Sequence, residues 1–403
     1  MSVCPLPDLE LEELFVNLRH SILLNISSVN GISSELLGVQ SALALQCFTN
    51  EYIYTSTNEE ENILRLLSAS VRKALDNSKQ PSPHIILALA SYKALNEYDW
   101  CKLLVATDHI KEVFARQVEE PIEEEKLKQE VHILEEITNS VSSEVRAQYE
   151  ESPYPRWVNL RLPYLPMSIA KMVEQSKVEL HDLKITTTKM PDILIAGCGT
   201  GQHSITTASR FKSSNLLAID LSLSSLAYAQ RKTKELEIEN IEYMQADILD
   251  LGKLNKKFDI IESAGVLHHM NNPLDGWKAL TDRLNPGGLM RIGLYSELAR
   301  QHIVKMRKEI SQLGIGSSDA EIKLFRNMVM ESEKNHHKRI LHSTDFYSLS
   351  TLKDLLFHVQ EHRFTIPQIK SRLDELGLQF CGFEANKAVP EFKKANKTQD
   401  ALY

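Results

Sequence analysis

The stretch ILIAGCGTGQHSI, residues 193–205, places Gly197, Gly199 and Gly201 on alternate positions directly after an apolar, partly β-branched run. Glycines so spaced let the backbone turn sharply and lie close to a ligand, as at the strand-to-helix turns that hold nucleotide-like cofactors. A dinucleotide turn carries its third glycine where this chain has Gln202, so the spacing favours a ligand without a pyrophosphate. Asp220 ends the run LLAID about twenty residues later, where a carboxylate can accept both hydroxyls of a ribose. Asp247, in QADILDL, ends a third run, where a short acid suits the exocyclic amine of an adenine while Ile248 packs on the ring.

Other residue types add candidate chemistry. His268 and His269 follow the fourth apolar run, FDIIESA, and an imidazole there could take a proton from an acceptor; the alternative is one ring stacked on the ligand and the other facing solvent. Glu262, Tyr295 and Glu297 also stand at strand ends, and His268 with Tyr295 are the candidate catalytic pair. HVQEH, residues 358–362, fits H-x-x-E-H, which on a helix holds zinc between two histidines. No third ligand is evident for it, so those residues read as polar lining of the substrate side or as helix surface, and no metal site is expected.

Such residues need a scaffold that brings strand ends together. After Met190 the runs DILIA, LLAID, IEYMQAD, FDIIESA and LMRIGLY alternate with helical spacings, which predicts an α/β fold with a mostly parallel sheet covered on both faces. LQFCGFE is expected as a sixth strand, and ANKAVPEFKKANKTQDALY after it has no alternating apolar run. From Asp8 to about Val118 apolar residues recur three and four apart, predicting an all-α domain. Residues 119–136 are charge-dense with a narrow stripe of Ile122, Leu127, Val131 and Leu134, the pattern of a linker helix. The expected division is therefore 1–118 helical, 119–150 linker helix, and 151–403 α/β, with a helical insertion at 297–345 serving as lid or acceptor platform.

Composition narrows the class. A formal net charge of -8 and a pI near 6.0 speak against nucleic acid as a partner, because sequence-independent binding relies on a cationic surface. The five cysteines, Cys4, Cys47, Cys101, Cys198 and Cys381, are scattered and fit neither a disulfide framework nor a zinc ribbon. With no basic-then-apolar leader and no apolar run of membrane length, a cytoplasmic protein without a membrane span is expected.

The order and spacing of these motifs resemble the class I S-adenosylmethionine-dependent methyltransferases. The resemblance implies a Rossmann-like, seven-stranded-type sheet with S-adenosylmethionine as cofactor. Gly197, Cys198, Gly199 and Gly201 would lie along its amino acid part, Asp220 and Leu221 at the ribose, Asp247 and Ile248 at the adenine, and Ser263, Ala264 and Gly265 on the methionine side. The family often has an acidic residue two places before the first glycine, where this chain has Ile195. In SPYPRW, Arg156 could pair with the cofactor carboxylate and Tyr154 close over the methionine end; a packed hinge between domains is the alternative. The family's seventh strand has no counterpart, which predicts a truncated chain, or a homodimer or second polypeptide completing the sheet.

VSSEVRAQYEESPYPRWVNL and DLLFHVQEHRFTIPQI resemble bacterial methyltransferases often fused to tetratricopeptide repeats, and the helical domain resembles rickettsial protein-lysine methyltransferases. These resemblances imply a protein acceptor, lysine ahead of other side chains. The alternatives are a small-molecule methyltransferase and a non-catalytic cofactor-binding scaffold.

Overall fold

The computed structural model describes residues 3–27, 32–163, 165–211, 213–384 and 388–395. Two compact units emerge, and they do not follow chain order: Met1–Lys126, Tyr154–Asn159 and His302–Phe357 form one, while Leu127–Pro153, Leu160–Gln301 and His358–Tyr403 form the other.

The second unit is the α/β one. Among the described residues its sheet has six strands, β1 His132–Ile133, β2 Asp192–Ala196, β3 Asn215–Asp220, β4 Ile241–Gln245, β5 Phe258–Ala264 and β6 Leu284–Gly293, in the order β1-β4-β3-β2-β5-β6. Every neighbouring pair is parallel. The hydrophobic runs are continuous because both sheet faces are covered: Ile193 and Ile195 of β2 join Leu216 and Ala218 in one core, and Leu194 and Ala196 join Leu217 and Ile219 in the other. Helices Gln202–Arg210, Leu223–Glu235 and Pro273–Arg283 follow β2, β3 and β5. From β2 the chain moves outward through β3 and β4, then returns to the other side of β2 with β5. The strand order thus reverses between β2 and β5, the place where open α/β sheets hold their ligands.

Two expectations fail at the sheet edges. LQFCGFE is not a strand: residues 378–384 run as coil, tied by Glu179 N–H donating to the Cys381 carbonyl over 2.7 Å. The sixth strand lies instead at the opposite edge, where His132–Ile133 pairs with Met244 and Gln245, inside the segment expected to be a linker helix. That segment divides into helix Glu120–Lys128, β1 and helix Ser140–Glu151. Of the tail after LQFCGFE, residues 388–395 are helical, and 385–387 and 396–403 lie outside the described residues.

The helical unit corrects the expected insertion. Residues 302–357 do not belong with the α/β sheet; they share a core with the amino-terminal helices, in which Phe15, Leu43 and Cys47 meet Ile303, Met306, Phe325, Val329 and Leu352. Polar groups follow the same pairing. Arg326 donates to both carboxylate oxygens of Glu12 at 2.6 Å each, Leu349 N–H reaches the Asn50 carbonyl at 3.3 Å, and Ser350 N–H reaches Glu51 at 2.7 Å. Local signals place the amino-terminal helices themselves: Asp8 caps Leu9–Leu24, Thr57 and Glu60 form a capping box on Asn58–Asp76, and Pro83 opens Pro83–Ala90. Among the described residues no helix is long and apolar enough to cross a membrane.

Candidate active site

The glycine turn is fixed by backbone geometry. Gly197 and Gly201 have φ of +78° and +87°, in the left-handed region. A side chain at Gly197 would meet Val266 at 2.2 Å, and one at Gly201 would meet Ala229 at 2.7 Å, so the close approach excludes any larger residue at either place. Gly197 and Cys198 N–H groups both donate to the Ile219 carbonyl, at 2.8 and 2.9 Å, which ties the turn to the end of β3. Gly201 then caps helix Gln202–Arg210, whose first backbone bond is Ile205 N–H to the Gly201 carbonyl at 2.9 Å.

Asp220, at the end of β3, accepts from Gly199 N–H at 2.8 Å and from Ser222 N–H at 3.0 Å, one on each oxygen. Each oxygen keeps a second acceptor site, so the carboxylate can hold the turn and still accept two ligand hydroxyls. Burial raises its pKa above the ordinary value, opposed by the backbone donors and reinforced by Glu150. Glu150 itself accepts from Leu223 N–H at 2.6 Å and from Ser224 N–H at 3.1 Å, capping the helix that starts beside Asp220. Sequence does not reveal this acid: the serines of SLSS, residues 222–225, signal a helix start, but an acceptor 73 residues upstream leaves no local trace.

The remaining cofactor candidates fall at neighbouring strand ends. Leu221 follows Asp220, and its carbonyl accepts from the Gln245 Nε2 amide of β4 at 2.8 Å. Asp247 is buried just after β4 and accepts from Leu249 N–H at 3.0 Å, with Ile248 in the core beside it. Cys198 is buried in the turn, and burial beside Asp220 pushes its thiol pKa well up. Ser263 Oγ donates to the Ala196 carbonyl at 3.0 Å, joining the ends of β5 and β2 at the point of strand reversal. Ala264 follows, and Gly265, exposed with φ of +80°, has open space where a side chain would stand.

Tyr154 and Arg156 fall in the segment Tyr154–Asn159 that belongs to the helical unit. Arg156 Nε lies 3.7 Å from Glu51, and its guanidinium carbon lies 5.8 Å from the centre of the Phe48 ring.

Beyond β5 an aromatic layer forms. The His268 ring stacks on Tyr295 at 3.7 Å and meets His269 edge-on at 4.3 Å, and neither His268 nitrogen has a hydrogen-bond partner among the described residues. Burial, with the neighbouring charges of His269, Arg300, His358 and His362, lowers the His268 pKa to about 2, so this imidazole is neutral and a weak base. Arg300 lies 3.7 Å over the Tyr295 ring and is held by Glu361 at 2.5 Å.

The HVQEH segment builds this layer instead of a helical metal site. Residues 358–362 are coil, so His358 and His362 share no helix face. His358 stacks on His269 at 3.6 Å, His269 Nδ1 donates to the Gln360 carbonyl at 2.6 Å, and His362 N–H donates to the His268 carbonyl at 2.7 Å. Of the acidic candidates, Glu262 is buried and committed. His203 at 2.6 Å, Thr207 at 2.9 Å, Arg210 at 3.5 Å and Arg291 at 3.7 Å surround it. Although burial pushes its pKa up, those partners outweigh it and hold the carboxyl at about 2, which removes it as a proton acceptor. Glu297 pairs with Arg363 at 3.1 Å.

Residues 193–288 match the protein family described as a methyltransferase domain, and these residues carry the glycine turn and both aspartates. Within those residues the chain is similar to methyltransferase domains. An uncharacterized protein of Synechococcus is 31% identical over 202 residues, 48% of this chain and 48% of that protein. An uncharacterized protein of Rickettsia prowazekii is 29% identical over 156 residues, 38% of this chain and 56% of its own length. Among solved structures, PKMT2 from Rickettsia typhi is 17% identical with a TM-score of 0.45, over 60% of this chain and 51% of that one. The chain spans about half the length of the curated relatives it matches.

Proposed function

We propose that this chain transfers the methyl group of S-adenosylmethionine to the side-chain amine of a protein lysine. The observation that carries the reading is the gathering of the glycine turn, Asp220, Asp247 and residues 263–265 at the strand-order reversal, with an open position at Gly265. These groups fit the cofactor. Left-handed glycines let its amino acid part lie on the backbone, Asp220 receives the ribose hydroxyls, and Asp247 with Ile248 receives the adenine. When bound, the cofactor supplies a methyl group on a positively charged sulfur.

What the chain itself contributes is alignment and a dry surface. Methyl transfer is an in-line displacement, and holding the nucleophile against the methyl carbon supplies much of the rate. A lysine amine has an ordinary pKa of about 10.4 and must arrive neutral. His268 does not take that proton, since its buried ring resists charge. Tyr295 and His268 instead offer an uncharged aromatic wall, and Arg300 over Tyr295 disfavours a second positive charge there. The proton leaves to water or a substrate group before attack. In this reading Tyr295 positions the amine and His268 supports Tyr295.

The test is incubation of the full chain with methyl-labelled S-adenosylmethionine and bacterial lysate, followed by mass spectrometry of labelled material. Label on lysine nitrogen supports the proposal. Label confined to small molecules favours the alternative acceptor class, and bound cofactor with no transfer favours a scaffold.

A further inference from the structure

Within the helical unit, apart from any residue used above, three metal-ligating side chains converge. Glu309 lies on helix Gln301–Leu313, and His336 and His337 lie on helix Asn335–Ile340. We propose that Glu309, His336 and His337 bind a zinc ion.

His336 Nε2 stands 2.7 Å from one Glu309 oxygen and His337 Nε2 stands 2.9 Å from the other. One ligand atom from each residue lies within 4.8 Å of the other two. The two rings are 4.5 Å apart and inclined at 69°, so their nitrogens approach the carboxylate from different directions. Zinc takes imidazole nitrogen and carboxylate oxygen at about 2.0–2.2 Å, which in a tetrahedron sets ligand atoms roughly 3.3 Å apart. Seating the ion therefore requires each contact to open by only about half an ångström.

Three further features fit a cation. The anchoring His337 is buried, while Glu309 and His336 keep side-chain exposures of 22% and 18%, so an ion can enter from solvent and a water can complete the fourth position. Lys334 already puts an ammonium 3.1 Å from Glu309, and its side chain is 57% exposed and can swing away. The cluster is also incomplete as a hydrogen-bond network, because His337 Nδ1 is buried without a partner among the described residues. Two imidazoles with one carboxylate select zinc-like transition metals over calcium or magnesium, which take oxygen donors. Bound zinc would join helix Asn335–Ile340 to helix Gln301–Leu313, strengthening a link that the Glu309 contacts with His336, His337 and Lys334 already make.

The experiment uses the full chain, stripped with a chelator and shown folded by circular dichroism, then titrated with zinc by calorimetry and with cobalt by visible absorption. The expected result is one zinc per chain and the visible bands of low-coordinate cobalt. Glu309→Gln and His336→Asn should each weaken zinc binding by at least about 100-fold, since loss of a mere outer partner already costs about 10–100-fold. Lys334→Ala should tighten it, because the competing ammonium is gone. His336→Asn touches a side chain at the surface and serves if Glu309→Gln unfolds. A folded wild-type chain that takes up no zinc at micromolar concentrations, or zinc affinity equal in the wild type and both ligand variants, overturns the proposal.

Discussion

At the strand ends of the α/β unit the deciding contacts are made by backbone: Gly199 N–H on Asp220 at 2.8 Å, and Gly197 N–H on the Ile219 carbonyl at 2.8 Å. In the helical unit they are made by side chains brought together from remote parts of the chain, above all Glu12 and Arg326, 314 residues apart and paired at 2.6 Å. The first region is specified by where glycine must stand; the second by which buried faces and charges match. Damage should therefore look different in the two places.

Glu12→Ala should have the largest effect on stability. Among the described residues it leaves the buried Arg326 guanidinium with the Phe346 carbonyl at 3.0 Å and no carboxylate, and breaking a buried pair costs about 3–5 kcal/mol. The double change Glu12→Leu with Arg326→Met should recover much of that loss, because removing both charges leaves nothing unpaired. Urea denaturation of the single and double variants decides it; equal stability of the single variant and wild type would show that the pair does not hold this unit.

Gly201→Ala comes next. A Cβ at 2.7 Å from Ala229, on a residue with φ of +87°, combines overpacking with backbone strain, together about 2–4 kcal/mol. Unlike the first variant, it should also abolish cofactor binding in whatever protein remains folded, as equilibrium binding would show. A smaller effect is expected at His268. Its folded pKa, near 2, lies below the unfolded 6.5, so the unfolded chain takes up the extra proton and stability falls as pH drops below 6.5. Whatever its pH-independent packing cost, His268→Gln should remove about 1 kcal/mol of the loss between pH 6.5 and 5.5 and leave the slope of stability with pH almost unchanged above pH 7. The same depressed pKa means that no limb near pH 6.5 in the methyl-transfer profile comes from this residue.

The contrast also explains what the sequence revealed. The five long strands and the glycine turn were legible because each is a local pattern: a continuous apolar run, then residues whose type the turn geometry demands. β1 was not, since two residues inside a charged segment carry no pattern of their own and become a strand only through Met244 and Gln245. The expected LQFCGFE strand fails for the converse reason, an apolar run whose backbone finds Glu179 instead of a strand partner. In the site, Asp220 and Asp247 were found from spacing, whereas Glu150 capping the next helix, and HVQEH stacking on His269, depend on contacts from distant segments. The helical insertion was visible as a segment, but its partner was not, because an amphipathic face does not name what covers it.

Calorimetric titration of the full chain with S-adenosylmethionine, beside Asp220→Ala and beside NAD, tests the central claim most directly. Wild type should bind S-adenosylmethionine, Asp220→Ala should bind it about 10- to 100-fold more weakly for the loss of charge-assisted hydrogen bonds, and NAD should give no heat. A folded wild-type chain that binds no S-adenosylmethionine, binds it no better than the variant does, or binds NAD instead would contradict the account.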